Sequence, residues 1–140
     1  MKISIKIKKL HKDAKIPLYA TEHSAAFDLY SIESVIINPN ETKIISTGIS
    51  MEIPEGKVGL IWDRSGLGSK GIHRFAGVID SDYRGEWKIV LHNRSSLAIK
   101  INIGDRIAQA IIQDYYKSEF IEDELSETKR DQSGFGSTGQ

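Results

Sequence analysis

Apolar residues recur at every second position through much of this chain, and that period constrains the fold more than any other feature. Ile3, Ile5 and Ile7 alternate with Ser4, Lys6 and Lys8, the pattern of a strand with one face buried and the other wet. Further strand-like runs follow at short intervals, each closed by a turn signal. Val35 to Ile37 leads into Asn38-Pro39-Asn40, Lys43 to Ile53 into Pro54-Glu55-Gly56, and Val58 to Trp62 into Arg64-Ser65-Gly66. Glu86 to Leu91, Leu97 to Ile103 and Arg106 to Gln113 complete the set, the last after a Gly104-Asp105 turn. Short strands punctuated in this way predict an all-β sandwich or barrel. Glu119 to Arg130 invites a helix but has too few apolar residues to give one a buried face, so it reads as an extended connector. Beyond it, Ser133 to Gly139 is rich in Gly and Ser and reads as a mobile arm. The expected division is a β-sandwich over 1–118 and a connector with a flexible C-terminal arm over 119–140.

Composition fits one soluble domain. With 140 residues, 39% hydrophobic and 27% charged, the chain is long enough to bury a real core. The 19 basic residues balance 19 acidic ones, so no surface-wide field for nucleic acid is expected. Locally the charge is uneven: Lys2, Lys6, Lys8, Lys9, Lys12 and Lys15 crowd the start, and Glu119, Glu122, Asp123, Glu124 and Glu127 the late connector. Both read as solvated faces or tails. No apolar run reaches the length of a membrane span, and none follows the basic start as a secretory signal would. Zero cysteines exclude disulfides and thiolate metal sites and fit a reducing compartment. The expected location is therefore intracellular and cytoplasmic, with no membrane partner.

The densest chemistry lies at Gly77 to Gly85, Gly-Val-Ile-Asp-Ser-Asp-Tyr-Arg-Gly. An apolar Val78-Ile79 pair should start a buried strand that breaks into a tight turn and holds Asp80 at a pocket edge. Taken alone, the segment is equally a hairpin with solvated acids. Arg64, Ser65 and Gly66 offer a guanidinium, a hydroxyl and open backbone donors, a combination suited to phosphate. In the arm, glycines allow close backbone approach, Ser137 and Thr138 add hydroxyls, and Phe135 could cap a flat ring. Together with Asp80 these parts supply what hydrolysis of a nucleoside polyphosphate requires: anion clamps, a base for water and an aromatic lid. Other polar residues read as structure. His11, His23, His73 and His92 have no metal-ligand spacing. Trp62 and Trp87 suit the core or a subunit contact, Asp82 a turn, and Asp105 a structural pairing with Arg106.

Five motifs in order then resemble the trimeric dUTP pyrophosphatase (dUTPase) family over Ala25 to Gly139. The first, Ala25-Ala26-Phe27-Asp28-Leu29, carries Ala26 where the family has glycine. Arg64 to Gly68 is the second, differing only in its last small residue. Gly77 to Gly85 and Gly104-Asp105-Arg106-Ile107-Ala108-Gln109 match throughout. The fifth, Arg130 to Gly139, keeps its arginine and its Gly-Phe-Gly-Ser-Thr-Gly, with Asp131 and Ser133 where glycines are usual.

The resemblance implies a distorted jelly-roll or β-clip-like sandwich and a homotrimer with shared active sites. It implies hydrolysis of dUTP to dUMP and pyrophosphate by water attack on the α-phosphate, with Mg²⁺ on the triphosphate. Such an activity keeps uracil out of DNA and supplies dUMP for thymidylate synthesis. By carry-over, Asp80 deprotonates the water and accepts from the sugar 3′-OH, and Tyr83 lies under the deoxyribose where a 2′-OH would collide. Gly77, Val78, Ile79 and the backbone near Lys88 belong to the hairpin that reads uracil. Arg64, Ser65, Gly66 and Gln109 hold phosphates. Arg130, Phe135, Gly136, Ser137 and Thr138 close over the ligand from another subunit, and Asp28 supports the site or its hydrated metal through water. Two competitors are a dCTP deaminase, alone or bifunctional with dUTPase activity on the same fold, and a regulatory binder that uses the nucleotide as a switch. Phe135 and the Tyr83 motif favour the pyrophosphatase over the deaminase, and intact Asp80 and Gln109 argue against lost catalysis.

Overall fold

The computed structural model describes residues 2–132 and Gly134. Within them the first strands are β1 (Lys6–Lys9), β2 (Phe27–Tyr30), β3 (Val35–Ile37), β4 (Thr42–Ser46), β5 (Ile49–Glu52) and β6 (Lys57–Trp62), of which β2 alone falls outside the alternating runs. One helical turn, α1 (Ser65–Gly68), follows. The remaining strands are β7 (Ile72–Phe75), β8 (Val78–Ile79), β9 (Lys88–Asn93), β10 (Ile99–Ile101) and β11 (Arg106–Asp114). Every pairing is antiparallel. The sheets run β2-β11-β6-β8, β4-β9-β7, β1-β5 and β10-β3. This is the all-β architecture the period of two predicts.

The inward faces meet in one core. Leu29, Ile37, Ile45, Ile49, Ile72, Trp87, Ile89, Leu91, Ile101 and Ile107 are all buried within it, and each such side chain contributes on the order of 1.5–3 kcal/mol by leaving water. Gly59 on β6 makes room for the largest of them. A Cβ there would stand 2.7 Å from the Trp87 ring and 3.0 Å from Ile53, so only glycine lets the indole slide under the sheet. Asn93 is the core's polar anchor. Its Nδ2 donates to the carbonyls of Ile37 at 2.9 Å and Leu97 at 2.8 Å. Its Oδ1 accepts from the Ser95 N–H at 2.9 Å and hydroxyl at 2.7 Å. That side chain ties the turn after β9 to β3.

Several boundaries differ from the sequence expectation for physical reasons. The run from Lys43 to Ile53 is two strands. Gly48 adopts φ +68° between them and a Cβ there would lie 3.0 Å from that of Ala14, so the chain turns sharply and leaves the β4-β9-β7 sheet for β5, which pairs with β1. β1 itself starts at Lys6, where its partner Glu52 is reached. β9 begins at Lys88, after Trp87 has bonded back to the Ile49 carbonyl at 2.9 Å. Leu97 and Ile103 are exposed and lie outside β10. Val78, expected to start a buried strand, is 68% exposed, because β8 is the edge of its sheet. Trp87 is fully buried as expected, whereas Trp62 is 47% exposed beneath the Arg74 guanidinium at 5.2 Å. Glu119 to Arg130 contains neither helix nor strand, in keeping with an extended connector.

Candidate active site

The phosphate-binding candidates gather where three strands run side by side. On central β11, Gln109 stands opposite Asp28 of β2 and opposite Trp62 of β6, so the three side chains leave one face of the sheet together. Two residues past Trp62 the chain reaches Arg64, which is extended (φ −94°, ψ 135°) and then coils through α1. The Arg64 carbonyl accepts the Leu67 and Gly68 N–H groups at 3.1 and 2.8 Å, leaving Ser65 and Gly66 exposed on the first turn. Asp28 is buried to 12% side-chain exposure, and each of its oxygens meets a guanidinium: Oδ1 accepts from Arg64 Nε at 2.8 Å and Oδ2 from Arg106 Nη1 at 3.4 Å. Gln109 Nε2 donates to the Asp63 carbonyl at 2.7 Å. A carboxamide nitrogen has two N–H groups, and this bond uses one of them.

The other group of candidates follows β8. Gly77 accepts the Ile61 N–H at 2.8 Å, and Val78 and Ile79 pair with Leu60 and Gly59. One edge of β8 is thus bonded to β6, while its other edge keeps backbone donors and acceptors turned outward, which is what reading the rim of a flat base needs. The chain then turns. The Tyr83 N–H donates to the Asp80 carbonyl at 3.2 Å, and Arg84 Nη1 braces the turn through the carbonyls of Ser81 at 2.6 Å and Tyr83 at 3.1 Å. Asp80 is exposed at its start, and among the described residues no cation pairs with it. Tyr83 is held at the hydroxyl end of its ring. Its hydroxyl donates to the Glu86 carbonyl at 3.0 Å, and the ring lies across Gly85, where a Cβ would fall 2.3 Å from the hydroxyl oxygen. Lys88 opens β9 opposite Ser46, with its ammonium 3.7 Å from Glu86.

These two groups do not meet within one chain. Ile79 pairs with Gly59 near the start of β6, and Arg64 follows the end of that strand. Five residue steps of extended chain separate the two levels, roughly 17 Å at the usual rise per residue. Arg130 lies on the exposed connector. Phe135, Gly136, Ser137 and Thr138 fall outside the described residues.

Register also changes two assignments. Asp105 does not pair with Arg106; its Oδ2 accepts the Asn102 N–H at 2.8 Å and closes the turn before β11. Arg106 reaches Asp28 instead, 78 positions away in sequence. The sequence marks Arg106 only as a partner for Asp105 and gives no role to Asp63, although Asp63 directly precedes Arg64 and Arg106 lies inside a motif. Among the described residues no three His, Cys, Asp or Glu side chains converge to hold a metal ion, and the Asp28 carboxylate is already neutralised by two arginines. The donor set therefore does not fit a resident Mg²⁺ held by protein side chains.

The dUTPase family profile matches residues 12–139. The deoxyuridine 5′-triphosphate nucleotidohydrolase of Nautilia profundicola is 49% identical, with 99% of this chain and 100% of the relative aligned. Its counterpart from Helicobacter pylori is 44% identical over 98% of this chain and 97% of its own. A mutant dUTPase of Staphylococcus bacteriophage 80alpha, solved with dUpNHpp, superimposes with a TM-score of 0.91 at 28% identity, covering 99% of this chain and all of that one. With its sheet order, its two clusters of motif residues and near-full-length relatives in agreement, the chain belongs to the dUTPase family.

Proposed function

We propose that the enzyme hydrolyses dUTP to dUMP and pyrophosphate at sites built between chains, with Asp80 of one chain acting on a triphosphate held by Arg64 of another. One observation carries the shared-site reading: the two groups lie at opposite ends of β6, farther apart than the two P–O–P bridges of a triphosphate can span. The activity itself is that of the aligned nucleotidohydrolases. A homotrimer with 1–118 as its body and 119–140 as an arm reaching a neighbour's site fits this division.

In that reading the outward edge of β8, with Gly77 to Asp80, receives the uracil rim, and the backbone near Lys88 completes the slot. Tyr83, pinned by Glu86 and lying on Gly85, presents a ring too rigid to move aside for a 2′-OH. Asp80 accepts a proton from water as the water oxygen bonds to the α-phosphorus and the bond to the bridging oxygen breaks. The departing pyrophosphate takes the charge. Arg64, the Ser65 hydroxyl, the Gly66 backbone and the remaining Gln109 N–H meet that charge, a stabilisation that is strongest when donors are fixed beforehand. Asp28 aims Arg64 and does not touch the metal. Mg²⁺ enters on the triphosphate as part of the substrate, in keeping with its habit of binding through phosphates and retained waters, and when bound it screens the phosphate charge. Arg130, Phe135, Gly136, Ser137 and Thr138 close the site from the arm.

Pyrophosphate and ammonia release measured on dUTP, dCTP, dTTP and UTP test the activity. Pyrophosphate from dUTP alone is expected; ammonia from dCTP would favour the deaminase, and nucleotide binding with no product the regulatory binder. Shared sites are tested by reassembling Asp80→Asn chains with Arg64→Ala chains. Each parent should be slow, with Asp80→Asn down about 10²–10⁴ in turnover. Hybrids should regain activity, because some sites then join an intact Asp80 to an intact Arg64. Hybrids verified by mass that stay inactive would overturn the shared site.

A further inference from the structure

Asp63 makes three bonds that together determine how the phosphate end is presented. Its carbonyl accepts Gln109 Nε2–H at 2.7 Å. Its Oδ1 accepts the Arg74 backbone N–H at 2.7 Å, and its Oδ2 lies 3.1 Å from His73 Nδ1. The residue thus sits between the last strand residue, Trp62, and the clamp, Arg64, with its carboxylate fastened to β7 and its carbonyl fastened to β11. The site as described does not use the carboxylate.

A carboxamide can present either its N–H or its C=O to a ligand, and the two choices have opposite effects on an anion. The Asp63 carbonyl decides the matter by accepting from Gln109, which fixes the nitrogen rather than the oxygen on the side of the Asp63–Arg64 peptide. That carbonyl belongs to the peptide plane shared with Arg64, so its direction and that of the clamp are set together. On the β7 side, Arg74 reinforces the attachment: its guanidinium lies 5.2 Å from the Trp62 ring centroid and its Nη1 donates to the Ala76 carbonyl at 2.8 Å.

We propose that Asp63 is a positioning residue for phosphate recognition, acting through Arg64 and Gln109, with His73 as its side-chain support. The proposal rests on the phosphate-end reading above. It concerns the β- and γ-phosphates and leaves the uracil slot after β8 untouched.

The test compares affinities for dUpNHpp and dUMP, after wild-type hydrolysis of dUTP has been established; a wild type without hydrolysis would sink the functional reading and is thereby told apart. Asp63→Ala should weaken dUpNHpp about tenfold, on the scale of losing a charge-assisted anchor, and leave dUMP within twofold. Asp63→Asn, which keeps an acceptor for the Arg74 N–H and a partner for His73, should recover most of the loss. His73→Ala should weaken dUpNHpp by a few fold with dUMP again unchanged, and it serves as the test should Asp63→Ala fail to fold. Equal weakening of both ligands, or unchanged dUpNHpp affinity in a folded variant, would show that Asp63 only supports the fold.

Discussion

Arg64 donates its Nε–H to Asp28 Oδ1 at 2.8 Å, and the bond joins the first and second sequence motifs across β2 and the start of α1. Arg106 occupies the other Asp28 oxygen at 3.4 Å. Neutralising a nearly buried carboxylate with two guanidiniums holds Arg64 in a single direction before ligand arrives, and preorganised donors lose less on binding.

Asp28→Asn should therefore raise KM for dUTP about tenfold, the equivalent of ~1.4 kcal/mol, with a smaller change in kcat. Steady-state pyrophosphate release measures both. An unchanged KM would mean that Arg64 is aimed by something else.

Gly85→Ala should loosen sugar discrimination. The added Cβ would lie 2.3 Å from Tyr83 Oη and 2.5 Å from Cζ, so the ring must lift away from the Glu86 carbonyl. Activity on UTP relative to dUTP should rise, as it should in Tyr83→Ala. A ratio unchanged from wild type in both variants would locate the ribose gate elsewhere.

Asn93→Ala removes a buried amide that makes four hydrogen bonds and leaves the Ile37 and Leu97 carbonyls without it. At about 1 kcal/mol per bond, the loss should approach ~4 kcal/mol. Urea unfolding would register it as a lowered midpoint. A shift near zero would mean that the turn after β9 repacks without the side chain.

Acid should remove one local contribution. The backbone N–H of Asn38 at 2.8 Å, followed by Lys43 at 3.0 Å, lowers the pKa of the Glu41 carboxyl below its usual 4.5. A depressed folded pKa means that the stabilisation is present above the unfolded value and fades as pH falls through the folded one. Glu41→Gln should be less stable than wild type at pH 7, and the gap should close below pH 4.5. A gap that does not change with pH would remove charge as its origin.

The sequence shows most clearly what is local. Val35 to Ile37 is a strand over the residues its pattern marks, and β6 and β11 differ from expectation by one residue each. β7 was missed because Ile-His-Arg-Phe buries only Ile72 fully and shows little alternation. The break at Gly48 depends on the nearness of Ala14, 34 positions back, and no local pattern carries that. The same holds at the site. Arg64, Ser65, Gly66 and Gln109 are conspicuous by residue type and motif, whereas the Asp28–Arg106 pair and the role of Asp63 appear only when β2, β11 and β6 are in register. The separation of Asp80 from Arg64 is likewise a matter of register: sixteen residues apart in sequence, they are carried to opposite ends of one strand by the return through β7 and β8.

That separation has a genetic consequence. On the proposed shared site, the two ends of β6 serve two different substrate molecules, so a chain damaged at one end still contributes a sound half-site at the other. Two alleles, one altered at Arg64 and one at Asp80, should complement each other in a cell making both chains. A single allele altered at both ends should instead act dominantly, since each chain it produces disables a site on either side of itself.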